Sequence, residues 1–280
     1  MKLTIIIPVK NRLEDLKTCL RSIEGAQHTR VIVVDDHSEF LMSEALQEEF
    51  PWVEVFFNTL GKGVGLARNC GLNQVTSEFV MFVDSDDVLS PGWETLILND
   101  LYNLPNHDVY VYPPTSFNEF GEGERHKYLS ELVRKYRIEP NEITLAQLKF
   151  RSISVVSKCY RVSFLKDHHI EFGSEMIGED VMFSTKIGVS TDKVYVSDQV
   201  WYHIRESLTS HNNQTSQEVW RVRLSLVIAQ ARLIKHHVSP TVFKSLHFPV
   251  KHYLTRAIKG KASWVDIAKY IVKARKLGIW

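Results

Sequence analysis

The chain has 280 residues, enough for one large domain or for one domain with a helical appendage. An apolar fraction of 44% and a charged fraction of 24% describe a globular protein with a real core, and exclude a disordered or fibrous chain. The net charge of +1 hides a segregation: residues 215–280 carry thirteen Lys and Arg against two Asp and Glu, leaving that tail at +11 and the remainder at −10.

Strands and helices alternate through the first hundred residues. Residues 2–9 are a β-branched run of strand length. Across 12–24 the apolar residues Leu13, Leu16, Leu20 and Ile23 recur at steps of three and four, which predicts a helix. A second strand at 29–34 ends in Asp35-Asp36, a helix follows at 43–50, and a third strand at 53–57. Residues 63–74 read as a helix entered through a glycine-rich turn, and the strand at 78–83 runs into Asp84-Ser85-Asp86-Asp87. Strands this continuously apolar, separated by helices, predict an α/β fold with a mostly parallel central sheet covered on both faces. Further on, 108–112 is a strand stopped by Pro113-Pro114, and 115–150 is polar with one or two helices. Residues 153–160 are strand-like, 162–167 form a short helix, another helix starts near Glu179, and short strands follow at 193–196 and 200–204. From 217 the pattern is helical to the end, broken near Ser239-Pro240 and near Gly260.

The three cysteines, Cys19, Cys70 and Cys159, form no CxxC pair, which fits reduced thiols in a cytoplasmic setting. The apolar run at the N-terminus is short and contains Pro8, unlike a signal peptide. No stretch reaches the ~18 apolar residues of a spanning helix. The expected location is cytoplasmic, with peripheral contact at the inner face of the membrane as an option for the basic tail.

Chemistry concentrates where strands end, the usual place for ligands in open α/β sheets. Asp35 and Asp36 close one strand; Asp84, Asp86 and Asp87 close another. So many carboxylates at one edge repel each other unless a cation sits among them. On an extended segment Asp-x-Asp turns two oxygens to one side, as a hard divalent cation shared with phosphates requires. An Asp-rich turn alone is usually only a cap or loop; the all-apolar strand before it favours the functional reading.

Four segments in order then resemble the signatures of the family 2 glycosyltransferases, which have the GT-A fold and invert. They are Ile5-Ile6-Ile7-Pro8-Val9-Lys10-Asn11, Val33-Val34-Asp35-Asp36-His37-Ser38, Gly65-Leu66-Ala67-Arg68-Asn69-Cys70-Gly71 and Phe82-Val83-Asp84-Ser85-Asp86-Asp87. A fifth, Gly178-Glu179-Asp180, resembles that family's "ED" motif. The order and spacing carry the signal, since each motif alone is weak. The resemblance implies that Pro8, Lys10, Asn11 and Asp36 hold the base and ribose, with Arg68 at the base region. It implies Asp84 at the ribose, Asp86 on Mn²⁺ or Mg²⁺ across the diphosphate, and Asp87 orienting the sugar or the metal's water shell. Asp180 is then the catalytic base, with Glu179 beside it. Lys10 stands where the family more often has Tyr, which bears on how the base is stacked. Residues 202–209 resemble a following Tyr-Arg-x-Arg-x-x-Ser segment but are one residue short, with His203 in place of an Arg. His203 or Arg205 would neutralise the diphosphate; a packed surface histidine is the rival reading for His203, and a helix N-cap the rival for Asp180.

These groups imply a single in-line displacement: a cation stabilises the leaving diphosphate and a carboxylate takes the acceptor's proton. A dehydrogenase would need Gly-x-Gly-x-x-Gly after the first strand, and a nucleotide triphosphatase a Walker A loop; neither is present. A pyrophosphorylase would need a glycine-rich phosphate loop near that strand. A non-catalytic nucleotide-sugar binding module is the main alternative. The expected division is a nucleotide-sugar-binding half at 1–110, an acceptor-binding half of the same GT-A domain at 111–214, and a basic helical extension at 215–280. The expected donor is a UDP-sugar and the expected acceptor a glycan or lipid-linked glycan of bacterial surface polysaccharide or glycolipid synthesis. The basic tail suits anionic lipid, with nucleic acid, a homodimer face and docking on the acidic body as its other uses.

Overall fold

The computed structural model describes residues 1–206, 216–259 and 262–280. In chain order the elements are β1 (Leu3–Val9), α1 (Leu13–Ile23), β2 (Thr29–Asp35), α2 (Met42–Gln47), β3 (Glu54–Phe57), α3 (Val64–Leu72), β4 (Phe79–Phe82), β5 (Val88–Leu89) and α4 (Trp93–Asn103). Next come β6 (Val109–Val111), β7 (Thr115–Asn118), β8 (Gly121–Glu122), α5 (Lys127–Ile138), α6 (Glu142–Arg151), β9 (Lys158–Arg161), α7 (Val162–Asp167), α8 (Glu179–Ser190), β10 (Val194–Val196) and β11 (Tyr202–Arg205). The tail holds α9 (Gln217–Lys235), α10 (Pro240–Ser245), α11 (Val250–Lys259) and α12 (Trp264–Leu277). The expected break at Gly260 lies outside the described residues.

Among the described residues the main sheet has seven strands in the order β10-β6-β9-β4-β1-β2-β3. It is parallel except for β9, which runs against both β4 and β6. β1 is an interior strand, paired in parallel with β2 and β4, and its seven residues are all buried. That explains a strand with no polar alternation: both faces are covered. One face packs on α1 and α4 through Leu16, Leu20, Ile97 and Leu101, the other on α3 and α8 through Ala67, Phe183 and Ile187.

The strand expected at 153–160 shrinks to β9. Before it, the buried Lys158 ammonium donates to the carbonyls of Ser152 and Ser154 at 2.6 and 2.7 Å, and Ser157 has a left-handed φ of 58°. Those carbonyls serve a side chain instead of a sheet ladder. A smaller sheet, β5-β11-β7-β8, was not expected from sequence. Two of its strands have only two residues, too short to show a period.

The tail meets the body through apolar contacts, with Ala146 and Phe150 of α6 against Ala231, Ile234, Val242, Phe243 and Leu246. The buried Gln230 adds hydrogen bonds to the Phe150 carbonyl and the Thr185 hydroxyl, each 3.1 Å. The described ion pairs of the tail join Arg221 and Lys269 to Asp266 inside it.

Candidate active site

The carboxyl ends of β1, β2 and β4 converge on one edge. The Asp36 amide donates to the Val9 carbonyl at 2.7 Å, and the Val83 amide to the Ile6 carbonyl at 3.1 Å, so the chain ends of three strands stay in register beyond the sheet. Pro8 is buried within β1, whereas Lys10 is exposed. Asn11 turns the chain with φ of 57°; its amide donates to the Ser38 hydroxyl at 2.9 Å and its side-chain oxygen accepts the Glu39 amide at 2.8 Å. Asp36 is buried, and its carboxylate accepts from the Asn58 side chain and from the Gly63 amide at 2.9 Å each. The carboxylate thus fixes the turn that starts α3. Gly63 supports that turn with φ of 129°, a conformation other residues avoid.

Arg68 joins the two halves of the site. Buried on α3, it donates to Asp84 at 2.8 Å and to Glu179 at 2.7 Å. Burial works against its charge, yet Asp84, Glu179 and Asp180 outweigh it and keep the guanidinium protonated. Two features let α3 approach α8. A Cβ on Gly65 would lie 2.5 Å from the Gly173 carbonyl and 3.0 Å from the Glu179 side chain. Asn69 clamps the backbone of Phe172 with a donor and an acceptor at 3.0 and 2.9 Å.

Residues 84–87 form a turn, closed by the Asp87 amide on the Asp84 carbonyl at 3.0 Å. The expected extended Asp-x-Asp, with both carboxylates on one side by alternation, is therefore corrected: the turn sends each carboxylate to its own partner. Asp84 meets Arg68, and Asp86 meets Arg12 at 2.5 Å. Asp87 accepts from the Tyr202 hydroxyl at 2.6 Å and from the Arg205 amide at 2.8 Å. Burial first, then the Asp84 charge, pushes the Asp86 carboxyl up, with Arg12 opposing. Burial and then Asp84 and Asp86 push Asp87 further. Asp87 thus ties β11 to the turn and touches two residues of the second sheet.

Asp180 is the second residue of α8, and the N-cap position belongs to Gly178, with φ of 76°. The capping role for Asp180 is thereby corrected. Its side chain keeps some exposed surface, yet protein surrounds the carboxyl. Burial, followed by the neighbouring Glu179 charge, pushes it up to about 7, with Arg68 pulling the other way.

His203 follows its rival reading, a packed histidine, and is corrected as a cation for the diphosphate. Its ring lies between the Ser90 hydroxyl at 2.6 Å and the Thr115 hydroxyl at 2.5 Å, so both nitrogens are engaged across the small sheet, and burial lowers its basicity. It is a half-buried, packed histidine and not a free cation for a diphosphate. Arg205 does reach the edge: its guanidinium pairs with Asp15 at 2.9 Å. Ser207, Leu208 and Thr209 of that segment lie outside the described residues.

Sequence reasoning missed Arg12, Asp15, Asn58 and Tyr202 as parts of this edge. Arg12 directly follows the Pro8–Asn11 motif, and Asn58 directly follows β3, so adjacency to a motif or to a strand end was the available signal.

The edge fits an anionic ligand and a hard cation in kind. Buried nitrogens without a hydrogen-bond partner include Nε2 of His37 and Nε of Arg68 and Arg205, all on residues of this edge. Asp84 and Asp86 offer oxygen, the donor such cations prefer, and their mutual repulsion is what a cation relieves. Among the described residues no three His, Cys, Asp or Glu side chains converge as a complete metal cage. Two carboxylates with phosphate oxygens and water completing the shell is the pattern of Mg²⁺-type sites. A cleft of about 260 Å³ lies between the segment ahead of α8, with Ser174, Met176 and Ile177, and α9, with Glu218, Val219 and Val222.

The comparisons agree with this fold. GlyA, a glycosyltransferase of Streptococcus pneumoniae, is 28% identical over 222 residues, covering 75% of this chain and 31% of that protein. TarS of Staphylococcus aureus, a poly(ribitol-phosphate) beta-N-acetylglucosaminyltransferase, is 28% identical over 221 residues, covering 75% of this chain and 37% of that protein. The chain thus spans about a third of the length of either relative. The crystal structure of S. aureus TarS 1-349 in complex with UDP-GlcNAc superposes with a TM-score of 0.71 at 20% identity, over 99% of this chain and 80% of that one. The mannosyltransferase PcManGT from Pyrobaculum calidifontis, in complex with GDP-Man and Mn2+, gives 0.59 at 15% identity, over 100% of this chain and 81% of that one. Both show the shared GT-A architecture. A model of the family described as glycosyl transferase family 2 matches residues 4–168, more than half of the chain. The chain belongs to glycosyl transferase family 2.

Proposed function

We propose that this glycosyltransferase moves a sugar from a UDP-sugar to a hydroxyl of a glycan or lipid-linked glycan, with inversion, in the building of a bacterial surface polysaccharide or glycolipid. The observation that carries it is the span of Arg68, whose one guanidinium contacts Asp84 of the strand-end turn and Glu179 beside Asp180. Donor-side and acceptor-side carboxylates therefore face one small volume. The UDP-GlcNAc held by TarS 1-349 supports UDP as the nucleotide, and the Mn2+ of PcManGT supports a divalent cation.

In this reading residues 1–110 hold the donor, 111–214 the acceptor, and 215–280 form the extension. The edge made by Pro8, Lys10, Asn11 and Asp36 takes the base and ribose. Asp86, with Asp84 nearby, would hold Mn²⁺ or Mg²⁺, which supplies Lewis-acid stabilisation of the leaving diphosphate. Arg12 and Arg205 flank that place and add positive charge as negative charge develops on the diphosphate. Asp180 accepts the proton of the attacking hydroxyl; a carboxyl near 7 is matched to that task at neutral pH. Glu179, held by Arg68, lies next to Asp180 and adds to the burial that raises the Asp180 carboxyl. The acceptor enters along the cleft between residues 174–177 and α9.

A panel of sugar nucleotides with Mn²⁺ tests this. UDP release from a UDP-sugar, increased by a glycan acceptor, is the expected result. Release from GDP-mannose alone would overturn the UDP assignment, and nucleotide binding without turnover of any donor would favour a binding module.

A further inference from the structure

α12 buries one side as expected of a surface helix. Ile267 and Ala274 are buried, with Tyr270, Ile271 and Leu277 packed beside them, against Trp220, Leu224 and Val227 of α9 and Leu254 and Ala257 of α11. The opposite side is unusual. Trp264, Val265 and Val272 are 72%, 63% and 51% exposed, and Ala268 between them is exposed as well. Residues three and four apart share a helix face, so these four form one continuous apolar stripe. Lys269, Lys273 and Lys276 run along its flank at steps of four and three, and Arg275 lies at its far end; all are exposed. The one acidic residue of the helix, Asp266, is not part of the stripe; Arg221 holds it at 2.7 Å, and Lys269 approaches it only to 3.9 Å. The stripe thus carries no negative charge.

A row of exposed Trp and Val costs free energy in water unless something covers it, and such rows mark interaction surfaces. Tryptophan favours a boundary with an apolar body on one side and water on the other. Lysines bordering the apolar row set the second requirement, a negatively charged surface. A symmetric contact between two copies would bring the same lysines onto each other. Nucleic acid would meet the lysines but leave the Trp264-Val265-Val272 row against phosphate and water. No helix among the described residues is long and apolar enough to cross a membrane, so the contact is in the plane of the surface.

We infer that the outer face of α12 is a docking surface for an anionic phospholipid membrane, with Trp264, Val265 and Val272 entering the headgroup boundary and Lys269, Lys273 and Lys276 pairing with lipid phosphates. This goes beyond the transfer reaction and holds whether or not the acceptor is lipid-linked.

The test is flotation of the full chain with vesicles of phosphatidylcholine alone or mixed in equal parts with phosphatidylglycerol. Binding to the mixed vesicles, absent from pure phosphatidylcholine and weakened by salt, is expected. A Lys269→Gln, Lys273→Gln, Lys276→Gln variant should bind about a hundredfold more weakly, at about fivefold per charge near an anionic surface. A Trp264→Ser, Val272→Ser variant should also lose binding, even at low salt, while keeping the wild-type melting temperature because both side chains are exposed. Failure of the wild type to float with mixed vesicles would overturn the inference. So would unchanged flotation of both variants, or loss of a dimer in the serine variant with flotation intact. Duplex DNA bound through the lysines and unaffected by the serine substitutions, with no flotation, would assign the face to nucleic acid instead.

Discussion

At the carboxylate edge each carboxylate of the turn is answered: Asp84 by Arg68, Asp86 by Arg12, Asp87 by Tyr202 and the Arg205 amide. On the outer face of α12 the lysines are exposed beside exposed Trp and Val, with only Lys269 near a carboxylate, Asp266 at 3.9 Å. The first region spends buried ion pairs on holding groups in fixed positions, which costs desolvation and yields preorganisation for charge that develops during reaction. The second keeps its charges solvated, where each contributes little to folding and remains available to an external partner. The same element types therefore serve chemistry in one place and attachment in the other. Five predictions test how cleanly the two are separated.

The largest effect should come from Asp86→Ala. It removes the carboxylate assigned to the divalent cation and leaves Arg12 with only the longer pairing to Asp15 at 3.9 Å. Nucleotide release should fall to background while the melting temperature changes little, since Asp86 lies in a partly exposed turn. Full turnover in this variant, or in excess chelator, would remove the cation from the mechanism. Next comes Asp180→Asn, which keeps the shape of the side chain but cannot take a proton. Transfer should drop by about 10²-fold or more with UDP affinity unchanged in calorimetry. Weaker UDP binding with unchanged turnover would make Asp180 a donor-binding group and move the base to Glu179.

The sequence made the sheet legible because β1, β2 and β4 are buried on both faces, and continuous apolar runs follow directly from that. It also placed the acidic residues at strand ends, which is a matter of order along the chain. It could not show that residues 84–87 turn, because extended and turned Asp-Ser-Asp-Asp have the same letters. Nor could it show Arg12 on Asp86 or Arg68 on Glu179, pairs separated by 74 and 111 positions. His203 illustrates the limit from the other side. Its motif position suggested a cation, and only the arrival of Ser90, just past β5, and Thr115 of β7 engages both ring nitrogens. The exposed stripe of α12 was hidden by helix periodicity itself, since its buried and exposed faces are both apolar in part.

The third prediction concerns pH. With the Asp180 carboxyl near 7, kcat/KM should rise about tenfold per unit as pH climbs toward neutrality and level off above it. Stability should move the opposite way. The folded value lies above the unfolded value of about 3.9, so the fold favours the protonated form. That contribution is complete below the unfolded value and disappears as pH rises through about 7. Asp180→Asn should then melt higher than wild type at about pH 8 and show no such gain at low pH, measured by thermal denaturation at both. A flat activity profile through neutrality would separate Asp180 from the proton transfer.

The fourth prediction is smaller and concerns Arg12→Gln. Arg12 and Asp86 are 35% and 25% exposed, so solvent screens their pairing to roughly 1 kcal/mol or less. Releasing Asp86 should tighten Mn²⁺ binding in the absence of nucleotide by up to about fivefold, read by titration calorimetry. If Arg12 also faces the diphosphate, the same variant should bind UDP more weakly. Unchanged affinity for both would make the pair a surface contact without consequence for the edge.

The last prediction asks whether the basic helices leave donor chemistry alone. Lys244, Lys251 and Lys259 are exposed, and Lys261, which the charge pattern groups with them, lies outside the described residues. Replacing all four with Gln should change acceptor-free hydrolysis of the sugar nucleotide by no more than about twofold, the usual reach of surface substitutions. The argument rests on where the tail touches the body. Its contacts run through α9 and α10 onto α6, an apolar set that includes Ala231, Ile234 and Phe243, with Gln230 bonded to Thr185 of α8. None of those contacts uses Lys244, Lys251 or Lys259, so their charge can be removed without loosening the helix that carries Asp180. A fall in hydrolysis well beyond twofold at an unchanged melting temperature would mean that tail charge reaches the donor site through the electrostatic field. The two regions would then act as one. A large fall in melting temperature would show instead that the positive charge of the tail is balanced by the acidic body, and that the separation between holding and attaching is incomplete.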